Sequence, residues 1–254
     1  MSAPTAPKIL EIPEVDGPLA SGLPSGWLGV LIGKTASGTP LLAKQFAHAA
    51  AGSLPVLYYT TYERTEDVVR AFQDFGWSTD GVQIINLADE YFARVLVRDL
   101  EVSRARERGL KIADLTPSAI PTVAPRPFNM TSRLLADLSG LTGPFRLVVD
   151  SLDFLLEILE PGEVLTVARQ LRHSAQMRGG QALVVIQAGI HERRTSGLLE
   201  DMADLVVEFA SEDGGGVVQH GLTVRKVRNH PDRMRRYPLT VTPSGFAVEA
   251  PPAP

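Results

Sequence analysis

The stretch that decides the fold runs Leu28-Gly-Val-Leu-Ile-Gly-Lys-Thr-Ala-Ser-Gly-Thr-Pro40. Its first half is a continuous apolar run, which is typical of a strand buried on both faces of a sheet. A loop that contains two glycines follows, and the pattern beyond it predicts a helix over residues 41–51. A buried strand that turns directly into a helix is the first unit of an α/β fold.

The same alternation continues along the chain. Buried strands are predicted over residues 28–33, 55–60, 82–86, 145–150 and 182–187. Further helices are predicted over residues 65–75 and 162–177. After residue 203, strands joined by Gly- or Pro-containing turns are predicted over residues 204–209, 217–227 and 237–241. The predicted fold class is therefore α/β, a mostly parallel twisted sheet with helices on both faces and antiparallel strands at the C-terminal end.

Length and composition favour one domain. The chain has 254 residues, 44% of them hydrophobic, which suffices for one large core. Both ends lack periodicity, so we expect a single domain over residues 11–249 between flexible tails at residues 1–10 and 250–254. Residues 98–130 open as a charged helix and pass into four prolines, which predicts a long excursion loop.

Several classes of protein are disfavoured. No apolar run is long enough to cross a bilayer and the first residues lack the apolar core of a signal peptide, so no membrane contact and a cytoplasmic location are expected. With no cysteine, disulfides and thiolate–metal sites are excluded. The five histidines are scattered without ligand spacing, so no metal site is predicted. The formal charge of −4 argues against a generally cationic nucleic-acid binder.

The loop after the first strand has the context of a phosphate-binding loop, whose pattern is G-x-x-x-x-G-K-[ST]. Gly33 and Gly38 have the required separation, but Thr39 stands at the lysine position and Pro40 at the hydroxyl position. The lysine would neutralise phosphate charge, and the hydroxyl would bind Mg²⁺. Thr39 brings no charge, and Pro40 brings neither a hydroxyl nor a backbone N–H.

ATP with Mg²⁺ is thus a doubtful cofactor. Lys34, directly after the first glycine, and Lys44, one helical turn beyond Pro40, are the two lysines that could approach a phosphate instead. The candidate nucleotide-binding residues of the loop are Gly33, Lys34, Thr35, Ala36, Ser37, Gly38, Thr39 and Pro40.

Four ordered features carry a resemblance to a known family. They are the lead-in Ile12-Pro-Glu-Val-Asp16 with Gly22-Leu-Pro-Ser-Gly26, the segment Leu57-Tyr-Tyr-Thr-Thr-Tyr-Glu63 with Phe75-Gly-Trp77, the strand Leu147-Val-Val-Asp-Ser-Leu152, and Lys226-Val-Arg228. In this order the chain resembles the KaiC-like and RadA-paralogue branch of the RecA superfamily of P-loop ATPases, over roughly residues 12–248.

The resemblance implies a role for four residues. Glu63 matches the carboxylate that helps to activate the attacking water, although the glutamate expected after it is Arg64. Asp150 matches the aspartate that orients Mg²⁺ at the end of its strand. Lys226 and Arg228 match residues that reach the γ-phosphate bound by a neighbouring subunit. On a strand these last two side chains share one face, which could also be merely solvated.

Five arginines are candidates for contact with nucleic acid. Arg193 and Arg194 follow the strand that ends at residue 187, where RecA-type proteins place a loop facing a central channel. Arg233, Arg235 and Arg236 belong to a second basic cluster, which could form a subunit interface, a track for single-stranded DNA or a solvated turn.

Three functions remain open at this level. The favoured one is a pseudo-ATPase that works as a scaffold or regulator, assembled with itself into a ring (a hexamer, for instance) or filament, or with an active paralogue. The second is an atypical ATP-binding protein or weak ATPase that uses Lys34. The third is a RecA-paralogue-like protein that binds single-stranded DNA in recombination or repair.

Overall fold

The computed structural model describes residues 8–93, 103, 130–213 and 218–249. Nine strands form one sheet in the order β3-β2-β4-β5-β1-β6-β7-β8-β9. Their bounds are β1 Trp27–Gly33, β2 Val56–Thr60, β3 Val82–Asn86, β4 Arg146–Asp150, β5 Gln181–Gln187, β6 Leu205–Asp213, β7 Val218–Val227, β8 Arg235–Thr242 and β9 Gly245–Val248. The first six strands in this order run parallel, and β7, β8 and β9 follow as antiparallel neighbours. The predicted fold class is confirmed.

Seven helices with defined bounds cover the sheet in the described part of the chain. They are α1 Pro13–Ala20, α2 Thr39–His48, α3 Thr65–Asp74, α4 Met130–Ser139, α5 Asp153–Ile158, α6 Pro161–Arg178 and α7 Arg193–Met202. None of these described helices has the length and apolar character needed to span a bilayer.

Two hydrophobic cores lie on the two faces of the sheet. Every residue of β1 is buried, and its side chains alternate between the cores as the pleat of a strand requires. Trp27 and Leu31 pack under α1, α2 and α3, whereas Leu28, Val30 and Ile32 pack under α4, α5, α6 and α7. This double burial explains why β1 is continuously apolar and why it occupies an inner position in the sheet.

The N-terminal boundary of the packed chain differs from the prediction. Residues 1–10 are predicted to be a tail, but Ile9 and Leu10 are only 3% and 5% exposed. Their backbone N–H groups donate to the Asp16 carboxylate, and the buried Arg146 guanidinium binds the carbonyl oxygen of Ile9. Ile9 and Leu10 are held by Asp16 and by Arg146, which is distant in the sequence. The apolar periodicity of residues 1–10 therefore does not indicate that these two residues are buried.

Two more differences concern helices. The segment after β5 is predicted as a loop, but the loop ends at Glu192 and Arg193 begins α7, whose Leu199 packs into the core. Helix α1 is also missed, because Pro18 within it argues against helix in the sequence. The predicted excursion loop at 98–130 and the C-terminal tail at 250–254 lie outside the described residues, except for residue 103 and for Met130, which begins α4.

Candidate functional site

The glycine-containing loop lies at the carboxyl end of β1, between the ends of two parallel neighbours. Gly33 is in register with Gln187 on β5 and with Phe209 on β6. The Ala188 N–H donates to the Gly33 carbonyl at 2.8 Å, and the Lys34 N–H donates to the Phe209 carbonyl at 3.4 Å. The loop therefore begins from a fixed point at the edge where ligands bind in open α/β sheets.

The side chain of Thr39 fills the interior of this loop. Its Oγ1 lies 2.6 Å from Ser37 Oγ, and Thr39 is only 5% exposed. A Cβ atom added at Gly33 would stand 1.9 Å from Thr39 Oγ1, so only glycine fits at that position. The residue at the lysine position is thus turned into the loop, and it brings no charge toward a ligand.

The backbone of the loop nevertheless remains open to an anion. The N–H groups of Thr35, Ala36, Gly38 and Thr39 donate to no protein acceptor within the described residues. The left-handed conformations of Ala36, with φ of 60°, and Gly38, with φ of 86°, turn the chain around this point. Successive free N–H groups at the start of a helix form a concave site suited to a phosphate.

Two side chains from neighbouring strands brace the loop. Gln187 Nε2 donates to Thr35 Oγ1 at 2.7 Å, and Ser211 Oγ donates to the Ser37 carbonyl at 2.9 Å. Sequence reasoning did not find either residue. Gln187 was detectable in principle, because it is a polar side chain at the end of an apolar strand next to β1.

Asp150 ends β4 and is buried beside the same edge. It accepts a hydrogen bond of 2.5 Å from the hydroxyl of Tyr58 on β2. Burial raises the pKa of the Asp150 carboxyl above its usual value, while the Lys44 ammonium and the Tyr58 hydroxyl oppose this shift. Burial is also the main cause that raises the pKa of Tyr58, followed by the charge of Asp150. The Tyr58 hydroxyl therefore stays protonated and donates a hydrogen bond to the Asp150 carboxylate.

Glu63 lies beyond the end of β2 and is paired with a lysine. Lys44 Nζ is 2.7 Å from Glu63 Oε1 and 3.4 Å from the Pro40 carbonyl oxygen. The Lys44 side chain is 3% exposed, whereas that of Glu63 is 36% exposed. The ammonium also lies 5.9 Å from the centre of the Tyr58 ring. Lys44 thus lies among the residues that the resemblance assigns to water activation and to Mg²⁺.

The residues present at this edge fit a phosphate better than they fit Mg²⁺. Mg²⁺ needs oxygen ligands in octahedral geometry, and in phosphate loops one of these is a Ser or Thr hydroxyl. Pro40 has no such oxygen, Asp150 is engaged by Tyr58, and Glu63 is paired with Lys44. No group of three or more His or acidic side chains in the described part of the chain could hold a metal ion.

A second polar cluster, missed in the sequence, adjoins the loop. Asp153 accepts hydrogen bonds from Ser151 Oγ at 2.7 Å and from the Gln187 N–H at 3.0 Å. His191 Nε2 lies 2.6 Å from Asp153 Oδ1, the oxygen that also accepts the Gln187 N–H. The serine contacts the aspartate and not the histidine, so the cluster lacks the order of a nucleophilic triad. It fixes the segment after β5 against β4.

Lys226 and Arg228 lie away from the loop, toward the amino end of β6. The Lys226 ammonium binds the carbonyl oxygens of Glu200 and Asp201 at the end of α7. Arg228 binds the Asp204 carboxylate and three carbonyl oxygens from Asp201 to Ala203. Lys226 is in register with Val206, three residues before Phe209 on β6, and the Arg228 N–H bonds to the carbonyl of Asp204, five residues before Phe209. Along the strand direction their backbones therefore lie about 10 Å and about 17 Å from the level at which the loop begins.

The five candidate arginines do not form one surface. Arg193 and Arg194 are exposed at the start of α7, which follows β5. Arg235 and Arg236 lie on β8, and Arg233 precedes that strand in a short 3-10 helix beside Asp232. β5 and β8 are four strand spacings apart in the sheet, which is roughly 19 Å.

The fold and this edge define a class of protein. A loop with free N–H groups after β1, a buried aspartate at the end of β4 and the strand order around them are those of RecA-type P-loop ATPases. Residues 10–253 match the family model described as "ATPase: KaiC". The chain therefore belongs to the KaiC family of ATPases, within the RecA superfamily.

Individual relatives are distant. The chain is 23% identical to a UPF0273 protein of Saccharolobus solfataricus over 250 residues, which is 94% of this chain and 81% of that protein. It is 22% identical over 251 residues to a UPF0273 protein of Sulfurisphaera tokodaii, covering 94% and 80% of the two chains.

Two solved structures share the fold. A KaiC-like protein of Pyrococcus horikoshii superposes with a TM-score of 0.61 at 20% identity, over 98% of this chain and 100% of that one. The flagellar accessory protein FlaH of Methanocaldococcus jannaschii gives 0.67 at 12% identity, over 97% and 100%. At these identities the likeness concerns the fold, which agrees with the family assignment.

Proposed function

We propose that this KaiC-family chain is a pseudo-ATPase, which keeps the nucleotide-binding architecture but hydrolyses ATP poorly or not at all. The observation that carries this proposal is the interior position of Thr39. The residue at the lysine position is uncharged, 5% exposed and held by Ser37, so the cation that normally meets the β- and γ-phosphates from this position is missing. Pro40 beside it brings no hydroxyl for Mg²⁺.

Its role would then be that of a scaffold or regulator in an oligomer. Lys226 and Arg228 support this, because they lie toward the amino end of β6, away from their own loop. A ring or filament in which one edge meets the other edge of a neighbour would bring these cations toward a second loop. That loop would belong to another copy of this chain or to an active paralogue. Sedimentation should show an assembly of several chains, and a monomer at high concentration would contradict the scaffold role.

Hydrolysis is tested on the pure protein. We expect phosphate release from ATP with Mg²⁺ to equal that of a buffer blank. The matched control is Glu63→Gln, which keeps the shape of the side chain and removes the carboxylate matched to water activation. A rate above background that Glu63→Gln abolishes would refute the pseudo-ATPase, because contaminating ATPases would be indifferent to this change.

The exposed Lys34 supports a second candidate, a weak or atypical ATPase. Its side chain forms no ion pair within the described residues, and it directly follows Gly33 at the mouth of the loop. Titration with a labelled ATP analogue and Mg²⁺ separates this candidate from the first. Loss of both binding and hydrolysis in Lys34→Gln would favour it, whereas an absence of binding at millimolar nucleotide would end it.

A further inference from the structure

Lys44 is a buried cation at the place where a nucleotide site needs positive charge. It lies on the second turn of α2, and its ammonium stands between the Tyr58 ring of β2 and the Pro40 carbonyl at the end of the loop. Its ammonium is in contact with the Glu63 carboxylate at 2.7 Å and with the Pro40 carbonyl at 3.4 Å. At 3% exposure the charge has left water, and a buried ammonium is tolerated only where it is paired.

The same ammonium acts on the second carboxylate of the site. Lys44 is the strongest of the influences that oppose the effect of burial on Asp150. Lys44 pairs directly with Glu63, and it lies 5.9 Å from the ring of Tyr58, whose hydroxyl binds Asp150, so one ammonium of the protein serves both carboxylates. In a metal-dependent site the charge between two such carboxylates and the phosphates is a divalent cation.

We infer that the Lys44 ammonium takes the place of Mg²⁺ in this site, so that the loop binds a nucleoside triphosphate as its metal-free anion. This inference rests on the proposed function and deepens it. The free N–H groups of the loop supply the phosphate contacts, and Lys34 at the mouth supplies an accessible charge. A nucleotide that carries Mg²⁺ would bring a second cation against Lys44, without the hydroxyl ligand that Pro40 has replaced.

The pairing of Lys44 with Glu63 would also explain the lack of ATP hydrolysis that we propose for this protein. A carboxylate that activates water must accept a proton from it. Glu63 Oε1 already accepts a hydrogen bond from the Lys44 ammonium, so this oxygen is occupied and is not free to take a proton from water. The one lysine thus provides charge balance and holds the carboxylate inactive.

The test compares nucleotide affinity with and without the metal. A fluorescent, non-hydrolysable ATP analogue is titrated with the full chain in excess EDTA and in excess Mg²⁺, and the ratio of the two dissociation constants is recorded. We expect the wild type to bind at least as tightly in EDTA as in Mg²⁺. In Lys44→Met, which keeps the length of the side chain and removes the charge, the ratio should shift by about tenfold in favour of Mg²⁺.

Lys34→Met is the matched control, because it also removes one positive charge close to the loop. It should weaken binding in both solutions and leave their ratio unchanged. Tighter binding of the wild type in Mg²⁺ by about tenfold or more would overturn the inference, as would an equal ratio in wild type and Lys44→Met.

Two further outcomes separate the inference from the function beneath it. An absence of binding in both solutions overturns the metal-free ligand but leaves the lack of hydrolysis standing. Phosphate release from ATP refutes the pseudo-ATPase, whatever the ratio. If Lys44→Met does not fold, the comparison of the two solutions with the wild type still decides, because it needs no variant.

Discussion

Two buried cations, Lys44 and Arg146, show how single residues determine the local structure of this protein. Arg146 is 2% exposed at the start of β4, and burial lowers its pKa to about 10. Its guanidinium donates to the carbonyl oxygens of Lys8, Ile9 and Phe46 and lies 4.4 Å from the centre of the Phe46 ring. A charged residue within a predicted buried strand is thus a central anchor of the N-terminal segment.

Replacement of Arg146 by methionine should destabilise the protein. The change leaves the buried carbonyl groups of Ile9 and Phe46 and the part-buried carbonyl of Lys8 without their donor, which costs about 3 kcal/mol of unfolding free energy. Urea unfolding followed by circular dichroism measures the loss. The control is Arg169→Met, an exposed position on α6 that should change stability by less than about 0.5 kcal/mol. Equal stability of the two variants would contradict the role assigned to Arg146.

At the scale of elements, Asp204 joins two strands and a helix. Its carboxylate is 1% exposed and accepts the Leu28 N–H of β1, two bonds from Arg172 of α6 and one from Arg228, which directly follows β7. Burial alone would raise its pKa, but the bonds from Arg172, Leu28 and Arg228 bring it below the ordinary 3.8. The carboxylate form is therefore favoured in the folded protein.

This pKa shift predicts how Asp204→Asn depends on pH. A pKa lowered by folding contributes stability above the unfolded value, and that contribution is lost as the pH falls through the folded value. The variant should be less stable by about 2 kcal/mol at pH 7, a figure reduced because both arginines are partly exposed. The difference should shrink below about pH 4. Asp201→Asn, at an exposed side chain, serves as control, and a difference independent of pH would contradict the assignment.

Across the whole molecule, charge is spread in a way that disfavours a nucleic-acid track. The formal net charge is −4, and the arginines at the start of α7 follow β5, which lies four strand spacings, roughly 19 Å, from β8, where Arg235 and Arg236 stand. Arg225, from the same basic cluster, is paired with Glu200 and Glu208. The charge of Arg225 is therefore compensated by nearby carboxylates, and the two arginine pairs on α7 and β8 belong to separate parts of the fold.

We expect weak binding to single-stranded DNA that involves few phosphates. In fluorescence anisotropy with an oligonucleotide, the logarithm of the affinity should fall with the logarithm of salt with a slope no steeper than about −1.4, which corresponds to about two phosphates. Arg193→Gln with Arg194→Gln and Arg235→Gln with Arg236→Gln are the paired variants. A steep slope that both pairs reduce would mean that one track joins the two places.

The sequence predicts the sheet better than it predicts the site. Periodicity identifies the strands, because burial on both faces leaves continuous apolar runs such as that of β4. It also locates the loop through Gly33 and Gly38. The pairing of Lys44 with Glu63 and the burial of Thr39 could not be predicted, because they depend on where side chains separated by many residues meet in space.

Some helices are not predicted from the sequence for a related reason. α7 begins with two exposed arginines and ends without a basic residue, so both of its ends contradict the usual helix signals. Its few core contacts, with Leu199 among them, outweigh these local preferences. Helix α3, in contrast, buries Val68 and Phe72 at helical spacing and is predicted from that periodicity.

The two ends of the described chain meet on α2. Gln45 Nε2 donates to the Leu10 and Phe246 carbonyl oxygens, and its Oε1 accepts the Phe246 N–H. A mechanical load applied to either terminus would therefore reach, among other contacts, the helix that begins at the phosphate loop. The tension that a neighbouring domain or tether exerts on the chain would reach this loop within two turns of helix.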